Sequence, residues 1–154
     1  GLDYVDLYLI HWPAEGYVEA YLEMEKLQKE GLTRSIGVSN FRKSHLQNLL
    51  SKVHIVPSIN QIETNPQMVD EETIQYCKEN KIGVEAWSPL GSGVCLNNPK
   101  IQEIANKYQK SSAQIILRWL LQKGIVILPK SVHENRIKEN IDLFNFVLEN
   151  EDVE

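Results

Sequence analysis

The chain has no run of about 20 apolar residues, the length that a helix needs to cross a bilayer. Its first residues, GLDYVDLYLIHWP, carry no positive stretch of the kind that opens a secretory signal peptide. It also has no block of lysine or arginine, and its net charge of −5 provides no overall attraction to nucleic acid. These absences predict a cytoplasmic protein that binds neither membranes nor nucleic acid.

Cysteine and metal-binding patterns are scarce as well. Cys77 and Cys95 are the two cysteines, and without a secretory signal or a CxxC pair they are expected to be reduced thiols. There is no zinc-spaced His/Cys cluster, no acidic cage and no nucleophile elbow, so we predict no metal site and disfavour hydrolysis. The GxGxxG and Walker patterns are also missing, so a phosphate site would need another construction.

The composition is 42% hydrophobic and 24% charged, which is typical of a folded globular domain. Short runs rich in β-branched and aromatic residues predict buried strands at residues 4–10, 35–38, 57–62, 82–87 and 125–128. Helical patterns lie between them, at residues 18–30, 44–53, 71–80, 99–108, 111–123 and 134–143. Capping boxes are predicted at residues 44–47, 111–114 and 131–134, and Gly31 and Gly124 predict helix ends.

A helix in every connection predicts an α/β fold with a parallel sheet covered by helices. The strand-helix order alone does not distinguish a doubly wound sheet from a (β/α)8 barrel. A barrel of eight units takes about 250 residues, or roughly 31 per unit, so a chain of 154 residues has room for about five units. Residues 1–154 are therefore treated as one structural unit whose two ends look cut from a larger domain.

Polar side chains gather just after the predicted strands, at the edge where parallel α/β folds bind ligands. They are His11, Trp12, Ser39, Asn40, Asn60, Gln61, Glu63, Ser88, Ser92, Lys130 and Ser131. Alternation along the first strand places His11 at the end of an aliphatic row, where it would cap the core. It is either a structural histidine bonded to backbone or an acid, base or substrate-orienting imidazole.

The segment LPKSVHENR places Lys130 before a helix start and Arg136 inside it, a geometry that suits an anion. The alternative is a solvated helix start. The loop SPLGSGV, residues 88–94, has glycines and hydroxyls that suit a second phosphate, although such segments are more often plain turns. Trp87 before that loop either stacks on a planar ligand or fills the core.

Five segments in this order, DLYLIHWP, GLTRSIGVSNF, NQIETNP, EAWSPLGSG and ILPKSVHENRIKEN, resemble the aldo-keto reductase superfamily over essentially the whole chain. The resemblance implies a (β/α)8 barrel of the TIM-barrel type, present only as an incomplete barrel of its fourth to eighth strands, the C-terminal part of one domain. It also implies NADPH as the cofactor and reduction of aldehydes and ketones to alcohols by hydride transfer.

The resemblance implies a role for individual residues. His11 matches the active-site histidine that orients and polarises the substrate carbonyl, and Trp12 matches a substrate-pocket aromatic. Ser39, Asn40 and Gln61 match the residues that hydrogen-bond the nicotinamide carboxamide.

The remaining matches concern the nicotinamide ring and the phosphates. Trp87 falls where the family usually has a tyrosine stacked on the nicotinamide. Pyrophosphate contacts match Ser88, Leu90 and Ser92. Contacts to the adenosine 2′-phosphate match Lys130, Ser131, Val132 and Arg136. Adenine contacts match Glu139 and Asn140. Because a 2′-phosphate gives Lys130 and Arg136 a partner that NAD lacks, NADP is expected to be preferred.

The sequence departs from the family at the catalytic acid. No segment matches the strands that carry the family's tyrosine, lysine and aspartate, so the chain alone is expected to be inactive, and exposed strand edges are expected to favour self-association. Two alternatives stay open: a non-catalytic NADP(H)-binding module, and an unrelated α/β barrel that binds a phosphorylated metabolite.

Overall fold

The computed structural model describes all of residues 1–154. Its five strands are β1 (Val5–Ile10), β2 (Thr33–Ser39), β3 (Ile59–Glu63), β4 (Gly83–Trp87) and β5 (Val126–Ile127). The helices are α1 (Tyr17–Lys29), α2 (Lys43–Leu50), α3 (Glu71–Glu79), α4 (Pro99–Tyr108), α5 (Ser112–Gln122), α6 (Glu134–Ile141) and α7 (Asn150–Val153). The strands form one sheet in chain order, and β1–β2, β2–β3 and β4–β5 pair in parallel. The predicted α/β class and the five strand-helix units are confirmed.

The chain divides into two compact units, and the first comprises residues 1–62 and 70–84. Its core includes the fully buried side chains of Ile36 and Val38 from β2 and Leu46 and Leu49 from α2. Gly37 lies between Ile36 and Val38 on β2, where an added Cβ would approach the Ile59 carbonyl oxygen to 2.6 Å. Strands β2 and β3 can therefore pair closely here because this position has no side chain.

Strand β1 differs from the buried strand predicted for residues 4–10. Val5 is 38% exposed and Tyr8 48% exposed, and His11 after the strand is exposed rather than a cap on the core. Strand β1 lies at the end of the sheet order and pairs only with β2, so its apolar residues have one neighbouring strand instead of two. Association through this edge stays a prediction.

The second unit comprises residues 63–69 and 85–154. Its core includes Ile104 and Ala105 of α4, Ile115 of α5 and Leu148 near the C-terminus. Side chains of α5 hold the C-terminal segment, because the Gln122 amide exchanges hydrogen bonds with the Leu148 backbone at 3.0 and 2.8 Å. The backbone after α6 therefore runs back along α5.

The predicted helix caps are confirmed at one position of three. Ser111 and Gln114 form the expected reciprocal cap of α5, with bonds of 3.2 and 3.1 Å. The box at residues 44–47 is wrong, because α2 begins one residue earlier and the His45 imidazole accepts from the Arg42 N–H at 3.1 Å. The box at residues 131–134 is wrong too, since α6 has His133 as its N-cap and no side-chain cap bond.

Three other expectations concern cysteines, helix ends and membranes. Both thiols are free and buried, and burial raises the pKa of Cys77 and of Cys95. Gly31 and Gly124 follow α1 and α5 with φ of 78° and 75°, as glycine does just beyond a helix end. None of the helices combines the length and the apolar character required to span a bilayer.

The carboxylate of Glu25 on α1 is buried and fixes the loop after α2. It accepts hydrogen bonds from the His54 and Ile55 backbone N–H groups, both at 2.7 Å, and contacts the His54 imidazole at 3.1 Å. Burial alone would raise its pKa, but the two backbone bonds and the His54 ring together hold the pKa of Glu25 below its usual value. The folded state therefore favours the ionised form.

Glu25→Gln is expected to lower the free energy of unfolding at pH 7 by about 2 to 3 kcal/mol, because it removes charge-assisted bonds from a buried site. A group with a depressed folded pKa contributes stability above its unfolded pKa, and this contribution is lost as pH falls through the folded value. Urea unfolding should therefore show the difference between wild type and variant shrinking as pH drops below about 4. Glu23→Gln, on the exposed face of α1, is the control, and equal loss in both variants would contradict this account.

Candidate functional site

Three predicted cofactor residues of the first unit form one hydrogen-bonded group at the ends of β2 and β3. The Ser39 hydroxyl donates to the Gln61 carbonyl at 2.8 Å, and the Asn40 backbone N–H donates to the same oxygen at 2.8 Å. Asn40 takes a left-handed conformation with φ of 62°. This backbone turn places its side-chain amide 2.9 Å from the carbonyl oxygen of His11, to which it donates. The structure therefore brings together four residues that are up to 50 positions apart in the chain.

His11 and Trp12 follow β1 and present their rings side by side, with centroids 5.9 Å apart and a tilt of 43°. Trp12 is 56% exposed. The Asn40 bond fixes the backbone of His11 and leaves its imidazole available, which suits a side chain that has to meet a ligand. An exposed aromatic and an imidazole beside a hydrogen-bonded amide group can orient a small polar molecule.

Two other polar residues at the predicted strand ends have structural contacts. Asn60 is fully buried, and its side chain bonds to both backbone groups of Phe41, at 3.4 and 2.8 Å. Glu63 accepts from the Asn65 amide at 3.4 Å. The sequence pattern alone does not separate these residues from those that face a ligand.

The second unit holds an open cavity of about 620 Å³. Eight predicted cofactor residues line it: Ser88, Leu90, Ser92, Lys130, Ser131, Arg136, Glu139 and Asn140. Its volume lies within the range of small-molecule sites. Residues separated by 52 positions along the chain therefore meet around one space.

The cavity wall at residues 88–93, which we call the phosphate loop, has an unusual backbone. Ser88, Gly91, Ser92 and Gly93 all have positive φ, between 50° and 91°. The N–H groups of Gly91 and Gly93 donate to the carbonyls of Ser88 and Leu90, both at 2.9 Å, so the turn is closed on itself. Left-handed turns of this kind form concavities that bind anions.

Lys130 and Arg136 supply positive charge for an anion in the cavity. Both line the cavity and form no ion pair within the chain. Arg136 is the third residue of α6, in the first turn, where the helix dipole adds a partial positive charge. Glu139 and Asn140 lie one turn further and add acceptors and an amide. Lys130 and Arg136 together offer two cations to an anion. Glu139 and Asn140 offer hydrogen-bond partners to an uncharged heterocyclic ring.

The structure adds residues that the sequence did not predict as ligand contacts. Ser111, Ser112 and Ala113, at the start of α5, line the same cavity. Ser112 and Ala113 are the first two helical residues, and the N-cap side chain is already engaged with Gln114. Helix starts bind anions through their free N–H groups. The capping box at residues 111–114 carried the signal, but it indicated only a helix start.

Two predicted cofactor residues of the second unit do not line the cavity. Trp87 ends β4 directly before the phosphate loop and is half-buried. Val132 is 75% exposed and lies outside the lining residues. Their assigned contacts stay predictions.

Comparison with known proteins identifies what the chain resembles. The model of the Aldo/keto reductase family matches residues 1–154. An uncharacterized oxidoreductase of Bacillus subtilis (strain 168) is 53% identical over 154 residues, covering 99% of this chain and 55% of the relative. A glyoxal reductase of the same organism is 50% identical over 154 residues, covering 99% of this chain and 56% of the relative.

A solved structure gives the same result. The crystal structure of a Bombyx mori aldo-keto reductase in complex with NADP superposes with a TM-score of 0.92 at 41% identity, covering 99% of this chain and 56% of that one. The chain therefore spans a little over half the length of the relatives that it matches.

Proposed function

Because the chain belongs to the aldo/keto reductase family, we propose that it supplies the NADP(H)-binding part of an enzyme that reduces small aldehydes and ketones to alcohols. The observation that carries this proposal is the cavity of the second unit, where Lys130 and Arg136 meet the phosphate loop and the start of α5. We also propose that residues 1–154 correspond to the fourth to eighth strands of the family barrel, the C-terminal part of one domain.

The residues around the cavity fit the phosphates of NADP(H). Lys130 and Arg136 would hold the 2′-phosphate with charge-assisted bonds, together with Ser131. The phosphate loop would receive the pyrophosphate, and Ser112 and Ala113 add the N-terminal amides of α5. Glu139 and Asn140 would contact adenine. A Bombyx mori relative of the same fold binds NADP, which supports this assignment.

In the first unit, the fixed group of Ser39, Asn40 and Gln61 would hold the nicotinamide carboxamide and so select the ring face that is presented. His11 would orient the substrate carbonyl through its imidazole, and Trp12 would cover the substrate. When bound, NADPH supplies the hydride. We propose small dicarbonyls or aldehydes as the substrate class, since a relative at 50% identity is a glyoxal reductase.

The chain alone is proposed to bind the cofactor without turning over substrate, because no residue of the described site matches the family's tyrosine acid. We also propose a cytoplasmic location, since the free thiols of Cys77 and Cys95 fit a reducing compartment.

Titration with NADPH tests the cofactor assignment. The chain should bind NADPH at least ~10-fold more tightly than NADH, because two cations lose their partner when the 2′-phosphate is missing. The fluorescence of the reduced cofactor reports the dissociation constants for NADPH and for NADH under the same conditions. Equal affinity for NADPH and NADH would contradict the phosphate assignment, and binding of neither would remove the proposed function.

A further inference from the structure

Asn65 lies behind the phosphate loop and outside the residues that line the cavity. It is 2% exposed, and all of its polar atoms have partners in the second unit. Its side-chain N–H₂ donates to the Ser88 carbonyl at 3.3 Å and to the Glu63 carboxylate at 3.4 Å. Its side-chain oxygen accepts from the Gln67 N–H at 3.0 Å and from the Cys95 thiol at 3.7 Å.

These contacts bracket the phosphate loop. Ser88 is the first residue of the loop, and Cys95 follows its last residue by two positions. One buried side chain therefore ties both ends of the loop to the connection that follows β3.

The same side chain also supports the centre of the loop. A Cβ added at Gly91 would lie 3.5 Å from the Asn65 Cγ and 2.8 Å from the Cys95 sulfur. Gly91 has φ of 56°, which L side chains rarely adopt. The left-handed turn at residues 91–93 thus packs at Gly91 directly against the side chains of Asn65 and Cys95.

Asn65 is itself held in place. Its backbone N–H and carbonyl exchange hydrogen bonds with those of Met68, at 3.0 and 2.9 Å. A side chain whose own backbone is fixed can hold a neighbouring loop, whereas a side chain on a mobile segment would move with it.

We propose that Asn65 is a positioning residue for the cofactor site: it holds the phosphate loop in its left-handed conformation before the pyrophosphate arrives. The inference rests on the proposed function, because it assigns that ligand to the loop. Without Asn65 the loop would be ordered only on binding, and the free energy of ordering would be subtracted from the affinity. The 2′-phosphate contacts of Lys130 and Arg136 would be unaffected.

Two ligands separate positioning from general loss of structure. Asn65→Ala should raise the dissociation constant for NADPH by about 10-fold, as expected for lost buried hydrogen bonds, while that for adenosine 2′-phosphate changes by less than about twofold. Isothermal titration calorimetry measures both on the 154-residue chain. Equal weakening for the two ligands, or no change for NADPH, would overturn the inference.

Two further variants sharpen the result. Asn65→Asp keeps the acceptor for Gln67 and Cys95 but replaces the donor to Ser88 with a carboxylate, so its NADPH affinity should fall at least as far as that of Asn65→Ala. Wild-type affinity in this variant would overturn the role of the Ser88 bond. Asn80→Ala removes one asparagine bond elsewhere, to the Tyr76 carbonyl, and should leave both affinities unchanged.

Hydrogen exchange without cofactor distinguishes this inference from the proposed function. In Asn65→Ala the amides of Gly91 and Gly93 should exchange about 10-fold faster or more, while those inside α5 keep their rates. Unchanged exchange would overturn the inference even if NADPH binds. If Asn65→Ala speeds this exchange but the wild-type chain binds no NADPH, the support of the loop by Asn65 stands and the cofactor assignment is refuted.

Discussion

Replacement of Lys130 and Arg136 together by methionine is expected to weaken NADPH binding by about 100-fold or more, since each cation is assigned charge-assisted bonds worth roughly 1.5 to 3 kcal/mol. Both side chains line the cavity and neither forms an ion pair within the chain, so their removal leaves no internal partner uncompensated. The variant should therefore fold like wild type. Affinity for NADH, which lacks the 2′-phosphate, should change by less than about threefold.

The control for this prediction lies on the same helix. Lys138 is on α6, does not line the cavity and pairs with Glu134 at 2.6 Å. Lys138→Met changes the net charge in the same direction, by one unit, and should leave NADPH affinity nearly unaltered. If it weakened NADPH as much as Arg136→Met, a diffuse charge effect would explain the binding and the 2′-phosphate assignment would fail.

Features set by local chemistry were predictable from the sequence. Strand-helix alternation predicted all five strands of the sheet, and the cap at Ser111 was found because its two side chains are three residues apart. Of the eight predicted residues that line the cavity, Leu90, Glu139 and Asn140 were named only from the resemblance to the aldo-keto reductase superfamily, and the other five because they follow a strand or lie at a helix start. These signals depend on neighbours within a few positions of the chain.

Features set by distant partners were not predictable. The burial of β1 was overestimated because an apolar run has the same sequence whether one strand or two lie beside it. Asn65 was overlooked because its contacts with Ser88 and Cys95 cross 23 and 30 positions. In α2 the N-cap is Arg42, and the His45 ring accepts from its N–H in the role that the predicted box gave to the Gln47 side chain; this depends on where the folded backbone begins the helix.

A chimera provides the strongest test of the catalytic proposal. On the proposal that residues 1–154 correspond to the C-terminal part of the family barrel, the N-terminal part of the Bacillus subtilis glyoxal reductase, joined ahead of Gly1, would supply the remaining strands. Such a chimera should reduce a small aldehyde with NADPH, whereas the 154-residue chain should bind NADPH without turnover. NADPH binding with no turnover in the chimera would favour the non-catalytic binding module.

In an active chimera, His11→Ala is expected to lower kcat by about 100-fold, because an imidazole that orients and polarises the carbonyl acts mainly in the transition state. The dissociation constant for NADPH should stay within about twofold, since the His11 backbone carbonyl that Asn40 bonds is retained in the variant. His133→Ala is the control, because that side chain is exposed and makes no cap bond at α6. Undiminished turnover of the His11 variant would refute its role, and equal loss of NADPH affinity would assign His11 to the cofactor site instead of to the reacting carbonyl.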